Sequence, residues 1–231
     1  RMTADDWRQQ LDTVAGLNVQ HLSAYHLSYE EGTAFGLKLK RGQLAEVSED
    51  ESLAQFEILT AWAKSADFEH YEISNFAKEG CRSQHNSIYW NDIKYLGLGP
   101  SAHSYDGSSR QWNVANLTQY IDADFDADFD TDFDADYDAD YDTDSGLYFE
   151  KEILTKDDKF NEYVMTSLRT SWGCNVKKIT TDYGISYANH FLKNIKKYLD
   201  SGVMINRDDN FILTDKGMLF ADGIASEIFV D

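Results

Sequence analysis

The sequence predicts an α/β chain: the last strands of a larger barrel or open sheet, followed by a mostly helical, winged-helix-like C-terminal domain. Three observations lead there. Helix and strand patterns alternate over the first 77 residues, which is the order of parallel α/β sheets. From Leu147 onward the pattern turns helical. Within that helical part, Val203–Ile205 and Asn210–Leu213 form two short strand patterns around Arg207-Asp208-Asp209, as in a small hairpin.

Each element has a local reason. Thr3 can cap a helix with Asp6 at its third position, and Trp7, Leu11 and Val14 then recur at helical spacing over residues 4–15, with Gly16 as the stop. Residues 20–28, QHLSAYHLS, read as a strand, and residues 31–36 as the loop after it. Ser48-Glu49-Asp50-Glu51 is a capping box, opening a helix to about Ala66 with Leu53, Phe56, Leu59, Trp62 and Ala63 on one face. Asp67 to Ala77 reads as one strand, with Phe68, Tyr71, Ile73 and Phe76 supplying β-favouring bulk. In parallel folds the ligand site lies at the carboxyl ends of the strands. Here those ends would be Tyr25–Ser28 and Glu72–Asn75, both polar. Asn113 is expected to cap a short helix, Val114–Ile121, and Thr155 one running to about Thr170. Ser186–Asp200 reads as a helix stopped by Gly202, and Thr214 opens a last one.

The totals narrow the function classes. Hydrophobic residues make up 42% of the 231, enough for a sizeable core, and no run approaches the ~20 apolar residues of a membrane span. The start, RMTADDW, has no basic-then-apolar leader, and a first residue other than Met suggests a piece of a longer protein. Cys81 and Cys174 lie far apart without CxxC spacing, as thiols of a reducing cytoplasm do. The net charge of −20 falls to −8 without the twelve aspartates at every even position of residues 122–144. Neither figure invites a nucleic-acid backbone. The lysines Lys177, Lys178, Lys193, Lys196 and Lys197 read as a local solvated face. The aspartate tract, with an aromatic every fourth residue from Phe125 to Tyr141, reads as disordered low complexity: its carboxylates would repel on one face of a strand, and Asp is a poor helix former. Calcium binding is the alternative, without the glycine turn and terminal Glu of an EF-hand loop.

Chemistry concentrates in residues 67–105. His85-Asn86-Ser87-Ile88-Tyr89-Trp90 places an imidazole beside two aromatics, and Leu96-Gly97-Leu98-Gly99-Pro100-Ser101-Ala102-His103 is a glycine turn with the sole proline. Imidazole is a natural haem-iron ligand, and Tyr89 and Trp90 offer flat apolar surface. The competing reading is a His–Asn–Tyr hydrogen-bond cluster that locks a loop in place. Gly97 and Gly99 suit a tight turn with positive φ, or a close approach of backbone to a cofactor. Glu72, Asn75 and His26, at presumed strand ends, could face a substrate; Glu72 could equally pair with a lysine. His103 is either pocket-lining or buried in the turn. His21, His70 and His190 read as structural.

The stretches YEISNF (71–76), HNSIYW (85–90) and LGLGPSAHS (96–104), in order and closely spaced, resemble the radical S-adenosylmethionine proteins related to oxygen-independent coproporphyrinogen III oxidase, and within them the haem-chaperone branch HemW. HLSAYHLSYEEGTAFG near the start and FILTDKGMLFADGIASEIF near the end fit the same branch. The resemblance implies a partial (β/α) barrel over residues 1–118, an acidic low-complexity insert over 119–146, and a helical C-terminal domain over 147–231. It implies a [4Fe–4S] cluster, held by a CxxxCxxC motif, and S-adenosylmethionine in a full-length parent. This chain has no such motif, so as a C-terminal part it is expected not to cleave the cofactor. The resemblance also points to His85, with Asn86, Tyr89 and Trp90, as a haem-binding group, and to His26, Glu72, Asn75, Gly97, Gly99 and His103 as candidates for a cofactor or substrate pocket. Three functions follow: cytoplasmic haem binding and delivery, oxidative decarboxylation of coproporphyrinogen III by a parent radical enzyme, or a lid and interaction module without a ligand of its own. The expected partners are haem or a porphyrin and a haem-accepting protein, with no nucleic acid.

Overall fold

The computed structural model describes residues 2–122 and 149–230; most of the aspartate tract, and with it the reading of that tract, lies outside the described residues. The fold is mixed α/β. In chain order the elements are α1 (Ala4–Gly16), β1 (His21–Ser23), α2 (Ala34–Lys40), α3 (Glu49–Ser65), β2 (Glu69–Glu72), β3 (Asn75–Ala77), α4 (Gln84–Trp90), β4 (His103–Tyr105), β5 (Ser109–Asn113), α5 (Leu117–Asp122), β6 (Phe149–Ile153), α6 (Lys156–Leu168), β7 (Cys174–Asn175), α7 (Val176–Tyr183), α8 (Ile185–Asp200), β8 (Met204–Arg207), β9 (Asn210–Leu213), α9 (Asp215–Met218) and α10 (Ala221–Ser226). They gather into two compact units. One holds the described residues of Arg1–Trp90 and Phe160–Asp231, the other those of Asn91–Lys159.

Local chemistry sets the helix starts of the first unit. Both capping boxes form: the Thr3 hydroxyl accepts from the Asp6 N–H while the Asp6 carboxylate accepts from the Thr3 N–H, and Ser48 and Glu51 do the same. α1 and α3 pack together through Leu11, Leu59 and Ala63, and the Trp7 indole N–H donates to the Gln55 carbonyl at 2.9 Å. Phe68 and Phe76 complete this core against the sheet.

That sheet differs from the expected parallel one. Its order is β1-β3-β2, and both outer strands pair antiparallel to β3. The expected single strand over 67–77 is a hairpin reversing at Ile73-Ser74, because the Glu72 carboxylate accepts from the Ser74 N–H (2.9 Å) and from the Asn75 amide, closing the turn. The expected strand over 20–28 stops at Ser23, and Tyr25–Ser28 continue outside any strand.

The C-terminal part of the same unit has its own core, built around Phe160, Val164, Leu168, Ile179, Phe191, Ile195, Met204, Ile224 and Ile228. The elements run α6-β7-α7-α8-β8-β9, and β7 and β8 flank β9 in a small antiparallel sheet. Asp208 and Asp209 both take positive φ in the β8–β9 turn. Gly173, at φ +65°, brings its backbone so close to β9 that a Cβ there would sit 2.1 Å from the Phe211 carbonyl oxygen. Three of its lysines form ion pairs: Lys177 with Asp209 (2.7 Å), Lys178 with Asp182 and Lys197 with Glu227.

In the second unit, β4, β5 and β6 form an antiparallel sheet that the sequence reading passes over. Asn113 ends β5 rather than capping a helix; Asn116 caps α5, its side-chain oxygen accepting from the N–H groups of Thr118 and Gln119. Burial raises the Asp106 carboxyl, but hydrogen bonds from Ser109 and Ser108 outweigh it and hold the group well below its ordinary value.

His70 makes one consequence of the packing measurable. Its ring stacks on Phe76 (centroids 4.3 Å apart) and meets Phe56 edge-on, and Nε2 donates to the Ile73 carbonyl at 3.2 Å. Burial lowers its pKa below 6.5, against the opposing pull of that hydrogen bond and of the Asp215 and Glu72 charges. The folded state therefore prefers the neutral ring. No penalty exists above the unfolded value. It grows as pH falls through about 6.5 and is complete below the lowered folded value. The melting temperature is expected to fall between pH 7 and 5, and His70→Phe, which keeps an aromatic ring, to flatten that window. An equal slope in both proteins would place the titration elsewhere.

Candidate functional site

Within the first unit, the β2–β3 turn, α4 and the residue after α6 enclose a cleft of about 300 Å³. It is lined by Tyr25, Glu72, Ile73, Ser74, Asn75, Asn86, Tyr89, Trp90 and Arg169. Five of the sequence candidates meet here: Glu72, Asn75, Asn86, Tyr89 and Trp90.

The floor is polar and self-satisfied. Glu72 and Asn75 are 2% and 3% exposed, so their polar atoms need partners inside the fold. Glu72 accepts from Ser74 and Asn75, and Asn75 in turn accepts from the Ser23 hydroxyl on β1 at 2.5 Å. The partners of Glu72 are thus its own turn and not a lysine. This network locks the turn and places a carboxylate at the cleft floor.

The wall is α4. His85 and Tyr89 are one turn apart, so they share a face. Their rings meet edge-on at 5.2 Å, and the Tyr89 phenol lies 3.3 Å from His85 Nε2. The imidazole is exposed and stands outside the cleft lining, while Tyr89 is 45% exposed and lines it. Asn86 is tied down by its backbone N–H, which donates to the Ser83 hydroxyl at 3.2 Å. Part of the cluster is hydrogen-bonded into the fold, and one exposed imidazole stands beside aromatic surface.

Arg169 is the residue that sequence reasoning missed. It follows the last turn of α6, and the chain there is pinned to β2: Thr170 bridges Glu72, and the Ser171 N–H donates to the Tyr71 carbonyl at 3.0 Å. The guanidinium lies over the Trp90 ring, 5.5 Å from its centroid, and Nη1 donates to Asp222 at 2.8 Å. No signal near Arg169 in the sequence links it to a motif some 80 residues earlier.

The other candidates fall elsewhere. His26 is exposed and bonded through Nδ1 to the Ser52 hydroxyl at 3.1 Å. Gly97, Gly99 and His103 belong to the second unit. The close approach of Gly97 is to the chain itself, since a Cβ would meet the His103 carbonyl at 2.1 Å. Gly99, at φ +104°, donates its N–H to the Tyr120 phenol (2.9 Å), and the Asn113 amide donates to both glycine carbonyls. His103 is exposed, with its ring against Trp112 at 6.0 Å.

A cluster site does not fit these residues. The two cysteines are Cys81 and Cys174, burial pushes the Cys174 thiol well above its ordinary value, and no group of metal-ligating side chains gathers among the described residues. Nor is any helix among them long and apolar enough to cross a membrane.

Comparison with known proteins agrees with the resemblance of the motifs. Residues 154–220 match the family model of the HemN C-terminal domain. The chain is 28% identical to the haem chaperone HemW of Bacillus subtilis over 93% of its own length and 52% of the relative's. To HemW of Mycobacterium tuberculosis it is 36% identical over 51% of this chain and 30% of the relative. A mouse protein described as radical S-adenosyl methionine domain-containing protein 1, mitochondrial, is 36% identical over 43% of this chain and 22% of its own. Among solved structures, coproporphyrinogen III oxidase (HemN) from Escherichia coli, described as a radical SAM enzyme, matches with a TM-score of 0.69 at 19% identity, over 99% of this chain and 52% of that one. The chain thus spans about half the length of the Bacillus subtilis relative and of the Escherichia coli structure, and it shares the fold of the matched half of the latter.

Proposed function

We propose that this chain, a relative of the HemW haem chaperones that carries a HemN C-terminal domain, binds haem or a related porphyrin and passes it to an acceptor protein in the cytoplasm. The observation that supports this most directly is the exposed His85 imidazole, held edge-on to Tyr89 beside a cleft whose wall continues into Trp90. An axial ligand needs an accessible nitrogen with its orientation restrained, and a porphyrin needs flat apolar surface next to it. His85 would supply the nitrogen, and Tyr89, Trp90 and Tyr25 the surface. Asn86, anchored to Ser83, holds the helix that presents them. Glu72 and Asn75 stabilise the turn opposite. Gly97, Gly99 and His103 act as structural supports of their own unit in this reading.

Haem is cargo here, so reversible binding is what the role requires. The CxxxCxxC motif that the resemblance implies for an iron–sulfur cluster is absent from this sequence, and no reaction step is assigned to this chain. That makes the decarboxylase reading a statement about a longer protein.

Titrating the chain with haem tests the proposal. A Soret band displaced from that of free haem, saturating near one haem per chain, is the expected result. A spectrum that stays that of free haem at every ratio would sink it.

A further inference from the structure

We propose that Arg169 and Trp90 bind a carboxylate of the ligand that enters the cleft, so that this corner reads the acid groups of a tetrapyrrole in addition to the flat surface that Trp90 offers its ring. The inference rests on the haem reading above and adds its recognition element. Among the described residues, two buried side-chain donor atoms have no hydrogen-bond partner, the Trp90 indole Nε1 and the Arg169 Nε. Buried polar groups are paired in the great majority of cases, and each exception calls for an account. These two belong to residues in contact with each other, the guanidinium over the indole, and both residues line the same cleft.

The chemistry of the missing partner can be stated. Both atoms are donors only, so the partner is an acceptor. One donor belongs to a guanidinium, whose delocalised positive charge favours an anionic oxygen. Glu72 accepts from Ser74 and Asn75 through Oε1, and Asn75 accepts from Ser23; neither Trp90 Nε1 nor Arg169 Nε is bonded to them. Asp222 takes only Nη1 of Arg169, and its own side chain is 59% exposed, so solvent weakens that pair. Both donor atoms are closed to solvent, so the carboxylate reaches them by parting the guanidinium from the indole. Arg169, with 27% of its side chain exposed, has room to turn.

Haem and its dimethyl ester, which has the same ring and iron but no free acid, separate the possibilities. The unmodified chain is expected to bind haem about tenfold tighter than the ester, in line with a charge-assisted hydrogen bond. Arg169→Gln should remove that preference by weakening haem alone. Trp90→Phe, which keeps an aromatic surface but lacks the N–H, should reduce the ratio of haem to ester affinity, beyond any loss of apolar contact that both compounds share. Retention of the full preference in Arg169→Gln, or equal binding of haem and ester by the unmodified chain, overturns the inference and leaves the haem reading intact. Binding of neither compound overturns both.

Discussion

Replacing His85 with alanine is expected to abolish the Soret shift that haem acquires on this chain and to weaken binding by at least about tenfold, ~1.4 kcal/mol. The imidazole is exposed and its Tyr89 contact is long, at 3.3 Å, so its removal costs little in the fold. Any large spectral loss then reports ligation. Trp90→Ala should weaken affinity while keeping the shifted band, because it removes apolar surface and not the ligand atom; losing roughly half the value of a buried aromatic side chain is worth about 1 kcal/mol. His26→Ala and His103→Ala are the controls. His26 is engaged with Ser52, His103 stands in the other unit beside Trp112, and neither lines the cleft. If His85→Ala keeps the full shift while one of the controls loses it, the ligand assignment moves to that residue. If none of them changes the band, the 85–90 cluster is a structural lock and no more.

Gly173→Ala should be the most damaging single methyl addition in the C-terminal core. Gly173 combines two constraints that are separable elsewhere in the chain. Its φ of +65° costs an L-residue about 1–2 kcal/mol. Its Cβ would also stand 2.1 Å from the Phe211 carbonyl oxygen, a backbone atom of β9 that cannot turn aside as a side-chain tip can. Together these are expected to cost about 3 kcal/mol or more, lowering the melting temperature by roughly 10 °C on the usual scaling for a chain of this size. Two glycines calibrate the measurement. Gly184 has φ +93° but open space around it, so Ala there should cost only the backbone term. Gly223 lies inside α10 with nothing within 4 Å, and Ala there should be neutral or stabilise by up to about 1 kcal/mol. Equal melting temperatures for the Gly173 and Gly223 variants would show that the β7–β9 contact yields easily.

Much of the architecture was legible in the sequence because its signals are local. The Thr3 and Ser48 capping boxes, the long helices α1, α3, α6 and α8, and the β8–β9 hairpin depend on contacts within a few residues, and they stand where the spacing of side chains puts them. The motif resemblance likewise agrees with the similarity to HemW proteins and with the match to the HemN C-terminal domain model. What failed locally failed for a definite reason. The hairpin at Ile73-Ser74 carries no glycine or proline; it turns because the Glu72 carboxylate accepts from the Ser74 N–H and the Asn75 side-chain amide, bonds that periodicity does not express. The β4-β5-β6 sheet closes across the aspartate tract, with β5 pairing to a strand on its far side, so no window of sequence contains the pair.

The site divides along the same line. The residue types that make it worth proposing, an imidazole, two aromatics and a polar turn, were readable by themselves. Which of them share a cleft was decided by tertiary structure alone: Asn75 is joined to Ser23 across about fifty residues, and Arg169 is carried to Trp90 by the pinning of Thr170 and Ser171 onto β2. Backbone pairing of distant strands fixes such positions to within a hydrogen bond's length, and it leaves no periodic trace in the chain on either side.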